Sequence, residues 1–203
     1  MNSPSKTIDR IIVLLFFLSG FTALMYQVLW VRLLTKYVGG SSFSISIVLT
    51  VFMGGLALGS AIAARLVDRV KQINGLILIY GALEAAIGLC GVLIPLAIPW
   101  LKPLYSALYN NLYQRFLIYN VLASLFSIVL LLIPTSLMGA TLPVLSRYYL
   151  RAFPHMGSRI GKLYGVNTFA AALGALLSGL WMIYRLGMTG SLAVAVCINL
   201  AIG

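Results

Sequence analysis

Glu84 is the residue in this chain best placed to do chemistry, because it is an acid inside the apolar run Gly75–Leu101. A carboxylate at the centre of a bilayer costs several kcal/mol, so such a group is neutralised, hydrogen-bonded or turned toward a polar cavity. Two readings follow: a proton or cation site, or a structural hydrogen bond between helices. Gln27 reaches a similar depth in an earlier apolar run and is the expected partner of Glu84, with Arg32 the other candidate. Together with Tyr26, Asn167 and Thr168 these groups could line a path for a small solute. The other acids, Asp9 and Asp68, fall in charged linkers.

Other chemistry has little to work with. Cys90 and Cys197 lie inside apolar runs, where they read as small apolar side chains. His155 is the single histidine and sits in a basic linker. One His and two scattered Cys supply no ligand set for haem, zinc or an iron–sulfur cluster. No catalytic residue, cofactor or metal site is therefore expected.

The elements that must position Glu84 are membrane-crossing helices. Hydrophobic residues make up 62% of the 203 and charged ones 8%, against roughly 25% charged in soluble domains. The net charge of +11 would suggest nucleic acid in a soluble protein. Here the basic residues lie between apolar runs, so membrane orientation and anionic headgroups explain them better.

Residues 1–10 read as a polar tail ahead of an apolar run from Ile11 to about Val38, which is too long for a signal peptide and lacks its cleavage site. Gly39-Gly40-Ser41-Ser42 makes a turn into a second span, roughly Phe43–Ala64. In that span Gly55, Gly59 and Ala63 recur at four-residue spacing, which lets two helices approach closely. The charged cluster Arg65, Asp68, Arg69 and Lys71 forms a tight cytoplasmic loop.

A third span, about Gly75–Ile98, would carry Glu84 about 14 Å deep, near the midplane. Residues 100–116 then read as an amphipathic interfacial helix. Leu101, Leu104, Tyr105, Leu108, Leu112 and Phe116 form its apolar face, and Lys102, Ser106, Asn110 and Gln114 form the other. The stretch from Leu117 to Leu150 is too long for one straight span, at about 51 Å. A kink is expected at Pro134, with Pro134–Pro143 continuing broken along a cavity or bending onto the surface.

A second basic linker, Arg147, Arg151, His155, Arg159 and Lys162, leads to a fifth span at about Leu163–Tyr184. Ala170, Gly174 and Ser178 give that span a second small-residue stripe. Arg185–Gly190 turns the chain back into a final run from Ser191.

With the N-terminus cytoplasmic, nine of the fourteen Lys and Arg fall on that side and five on the other, which agrees with the positive-inside rule. The fold expected is all-α and integral to the membrane. It has about six transmembrane helices, a cytoplasmic N-terminus and one interfacial amphipathic helix, in a single domain spanning 1–203. The last run is short of the roughly 20 residues needed to span, so a larger protein is expected to continue beyond Gly203.

Five segments carry a family likeness. They are Ser19–Arg32 (SGFTALMYQVLWVR), Phe52–Ser60 (FMGGLALGS), Glu84 in its span, Pro134–Pro143 (PTSLMGATLP) and Leu163–Thr168 (LYGVNT). In these the chain resembles the N-terminal membrane domain of bacterial spermidine synthase-like (polyamine aminopropyltransferase-like) membrane proteins. In those proteins a half-transporter-like helical region precedes an aminopropyltransferase-like domain. The loop Arg65–Lys71 also looks like the cytoplasmic loop between the second and third helices of major facilitator transporters, although Val70 stands where that family usually has glycine.

The resemblance implies a catalytic partner that these residues do not provide, since no strand–glycine-loop–helix unit and too few acids are present. It points to a non-catalytic module in the bacterial cytoplasmic (inner) membrane that anchors or supplies an aminopropyltransferase-like domain. Its partners would be the lipid bilayer and that domain or other membrane subunits, with no nucleic acid. The alternatives are a transporter or transporter half for a small solute, cationic amines included, and a structural subunit of a membrane complex.

Overall fold

Apolar stretches in lipid have no water to satisfy their backbone N–H and C=O groups, so they close those bonds internally as helices. The computed structural model describes residues 6–38, 42–112, 114–152 and 157–203, and no strand occurs among the described residues. The turn residues 39–41 and His155 lie outside them. The helices are α1 (Lys6–Val38), α2 (Ser42–Leu66), α3 (Ile73–Leu112), α4 (Phe116–Ala152), α5 (Gly157–Leu177) and α6 (Ile183–Ile202). A 3₁₀ turn, Val67–Arg69, follows α2, and a π turn, Ser178–Met182, joins α5 to α6. Helix α1 begins at Lys6, inside the stretch expected to be a polar tail.

Five helical runs are long and apolar enough to cross a membrane: Thr7–Lys36, Ile45–Arg69, Ile73–Leu112, Ile118–Ala152 and Ile160–Ile202. The last contains Gly187 at φ 69°, ψ −178°, a break inside α6. A side chain there would strain the left-handed backbone, whereas glycine adopts it freely. Beyond this break the chain comes back along α3. Val196 meets Gly91, Asn199 and Leu200 meet Gly88, and Gly203 meets Gly81.

Helix α3 differs from expectation. Residues 100–112 are not a separate helix but the last part of α3, which runs unbroken through Pro95, Pro99 and Pro103. Prolines four apart lie on one face, so the lost backbone bonds fall along one side and the helix need not end. Part of the face expected to rest on lipid meets α4 instead, while Leu104 stays exposed. Tyr105 packs edge-on against Phe126, with centroids 4.8 Å apart, and Tyr109 meets Tyr119 at 6.1 Å. Helix α4 is likewise continuous through Pro134 and Pro143, and Thr135 Oγ1 donates to the Leu131 carbonyl at 2.6 Å beside the first proline.

Small residues set the helix contacts. A Cβ added to Gly55 would strike Thr135, one on Gly59 would strike the Ser136 carbonyl, and one on Gly139 would strike the Leu56 carbonyl. Helices α2 and α4 thus touch at backbone distance, which van der Waals packing in lipid rewards. The α1–α5 contact is built the same way, with Gly174 on the Phe21 carbonyl and Gly20 on Asn167.

The cytoplasmic loop expected at Arg65–Lys71 is held by the end of α4. Arg147 pairs with Asp68 at 3.1 Å. Arg151 donates to the carbonyls of Val70 and Lys71. Tyr149, between them, donates to Asp9 Oδ1 on α1 at 2.8 Å. Arg65 and Arg69 are exposed. Two apolar clusters fill the bundle. One gathers Ile12, Phe16, Leu76, Tyr80, Leu145 and Leu163 near this end. The other gathers Met25, Tyr26, Trp30, Phe52, Ile94 and Val196 farther along.

Candidate functional site

Helices α1, α3 and α6 bring Ser19, Tyr80, Glu84 and Asn199 together in the interior. Glu84 of α3 is fully buried, at 0% exposure, and Asn199 of α6 is nearly so at 1%. Asn199 Nδ2 donates to Glu84 Oε2 at 2.6 Å. The two residues face each other because α6 runs against α3 through Gly88, where Asn199 and Leu200 occupy the space a side chain would need.

Gln27 does not fill the role expected of it. It makes no hydrogen bond to Glu84, and it is only half-buried. Its neighbour Tyr26 takes the inward position, and successive residues on a helix point about 100° apart, so both cannot face α3. Arg32 is not the partner either, since its guanidinium donates to the Gly179 carbonyl at 3.4 Å, within the π turn. Asn167 lies against Gly20 on the α1–α5 contact. Thr168 is exposed on the outer face of α5 and stands apart from Glu84. Of the five polar residues singled out from the sequence, Glu84 and Tyr26 share one neighbourhood, in which Tyr26 feels the carboxyl electrostatically.

Three members of the centre escape a sequence reading. Asn199 sits in a run that looked too short to span, although an amide amid Cys197, Ile198 and Leu200 is itself a signal. Tyr80 lies one turn before Glu84, and Ser19 lies on α1. Both hydroxyls adjoin the carboxyl. Tyr80 also packs edge-on against Phe16 at 6.4 Å.

Tyr26 stacks on Trp30, with centroids 4.9 Å apart and planes 27° from parallel. Its hydroxyl stands 2.7 Å from where a Gly91 Cβ would be, so α3 needs glycine there. On the other side of this aromatic pair an apolar groove of about 360 Å³ opens between α1, α3 and α6, lined by Leu33, Pro95, Leu96, Met188 and Leu192. Chemically, the centre offers one acid, one amide and several hydroxyls, without a basic partner for Glu84 among the described residues. It can hold positive charge. Among the described residues no three His, Cys, Asp or Glu gather as a metal-binding group.

Fold and site together define a multi-pass helical membrane protein with a buried polar centre. No protein-family model matches the chain, and neither a curated protein nor a solved structure matches it.

Proposed function

We propose that this chain is a non-catalytic, membrane-embedded module of a spermidine synthase-like system, which anchors or supplies an aminopropyltransferase-like domain. In this reading the chain crosses the bacterial cytoplasmic membrane six times, because the break at Gly187 divides the last apolar run into two crossings. The N-terminus and the α2–α3 loop face the cytoplasm. The long α3 spans about 60 Å, twice the hydrocarbon core. Its end, residues 100–112, therefore stands with the start of α4 at and beyond the opposite interface.

The observation that carries the module reading is how the three carboxyl groups are used. Asp9 is engaged by Tyr149, Asp68 by Arg147 and Glu84 by Asn199, each within the bundle and apart from the others. They serve the architecture of the module, and aminopropyl transfer would fall to the partner domain. Affinity purification of the chain from native membranes tests this. An aminopropyltransferase-like protein should be recovered in equal amount, and recovery of the chain alone would count against the proposal.

A second reading, a transporter half for a small cationic solute, is favoured by one atom. Glu84 Oε1 is buried and has no hydrogen-bond partner. Proteoliposome uptake should fall to background in Glu84→Gln, and unchanged uptake would remove the carboxyl from any such mechanism.

A further inference from the structure

The Glu84 centre is short of positive charge. Glu84 Oε1, Asn199 Oδ1, Tyr80 Oη and Tyr26 Oη are all buried without a hydrogen-bond partner, whereas the great majority of buried polar atoms have one. The first two are acceptors only, so each requires a donor or a cation. The titratable groups near the carboxyl are Tyr80 on its own helix and Tyr26 on α1, with Cys90 on α3 and Cys197 on α6 beside Tyr26. None of these brings a positive charge. A proton on Oε1 would make it a donor to one neighbouring acceptor, the amide oxygen or a hydroxyl, but would not draw several oxygens together. A hard alkali cation draws several oxygens at once, as in the ion sites that membrane proteins build from acids, amides and hydroxyls at mid-depth. One carboxylate balances one monovalent charge, whereas a divalent ion would leave net charge in a low-dielectric interior.

We propose that Glu84, Asn199, Tyr80 and Ser19 form a binding site for a single dehydrated monovalent alkali cation at the junction of α1, α3 and α6. Glu84 Oε1 and Asn199 Oδ1 anchor the ion, and the hydroxyls of Tyr80 and Ser19 complete its shell. The ion ties α6 to α3 and α1. The inference shares its carboxyl with the transport reading but needs no transport. Sodium binding without uptake would sink that reading and spare the site, and uptake without sodium binding would do the reverse.

The test is equilibrium binding of radioactive sodium to the purified full chain in nanodiscs, alongside thermal unfolding in sodium chloride or N-methylglucamine chloride of equal ionic strength. Sodium should bind saturably at a single site and raise the melting temperature with the same concentration dependence. Glu84→Gln should weaken binding by about 100-fold and Tyr80→Phe by about tenfold, the range seen when metal-site partners are removed. No sodium retained by the wild-type chain would overturn the site. So would equal affinity in Glu84→Gln, or a melting temperature that follows pH but not sodium. If Glu84→Gln does not fold, Tyr80→Phe decides, and sodium affinity unchanged in that variant overturns the proposal.

Discussion

At the scale of single residues, glycines and one amide do more than their size suggests. Gly59 faces the Ser136 carbonyl, while Gly54, five residues earlier on α2, meets nothing within 4 Å. Gly59→Leu should therefore overpack the α2–α4 contact and cost about 1–3 kcal/mol or more. Gly54→Ala should stabilise the helix by up to about 1 kcal/mol. Thermal unfolding of the two variants in detergent checks the pair, and equal melting temperatures would show that the contact is not tight. Asn199→Ala removes the donor to Glu84. Interhelical hydrogen bonds in membranes average about 0.6 kcal/mol, but the carboxyl left unpaired adds about 1–3 kcal/mol. That variant should unfold at lower temperature than Gln27→Ala, because Gln27 makes no bond to the carboxyl. Glu84 itself was legible, since an acid in an apolar run has few alternatives to being functional or hydrogen-bonded. Its partner was not. Gln27 and Tyr26 are adjacent in the chain, and which of them turns inward depends on the rotation of α1 against α3, which local spacing does not encode.

At the scale of elements, the end of α4 fastens the loop after α2. Arg147 and Asp68 are 34% and 64% exposed, and exposed pairs are worth about 0–1 kcal/mol. Arg151 instead binds two loop carbonyls, a contact that orders backbone. We expect Arg151→Ala to speed proteolytic nicking at Val67–Gln72 markedly, and Asp68→Asn to do so only slightly. The opposite order would shift the fastening role to the ion pair. The small-residue stripes at 55/59/63 and 170/174/178 were readable because their period matches the helix, and Gly59 and Gly174 do lie against neighbouring backbones, Gly55 against the Thr135 side chain. The end of α3 misled for a physical reason. Three prolines and an amphipathic pattern suggest a new helix on the lipid surface, yet the same apolar face fits a partner helix. Only the α3–α4 pairing through Tyr105 and Phe126 decides between them.

At the scale of the whole molecule, composition and run length pointed to the helical membrane class directly, because only helices and closed barrels satisfy their backbone in hydrocarbon and apolar runs of about 20 residues fit helices rather than barrel strands. The break in the last apolar run, Ile160–Ile202, was harder to read. Gly187 sits within an otherwise unbroken helical run, and the reversal becomes evident from the contacts of α6 with Gly91, Gly88 and Gly81. The six crossings proposed above, with Glu84 near the middle, would place Lys71 and Asn110 on opposite faces of the membrane. Cysteines introduced as Lys71→Cys and Asn110→Cys, in a chain whose Cys90 and Cys197 are replaced by alanine, can be labelled with an impermeant maleimide in right-side-out and inverted vesicles. Lys71→Cys should label only in inverted vesicles, Asn110→Cys only in right-side-out ones, and Glu84→Cys in neither. Labelling of positions 71 and 110 from the same side, or ready labelling at 84, would contradict a membrane-spanning bundle built around a buried acid.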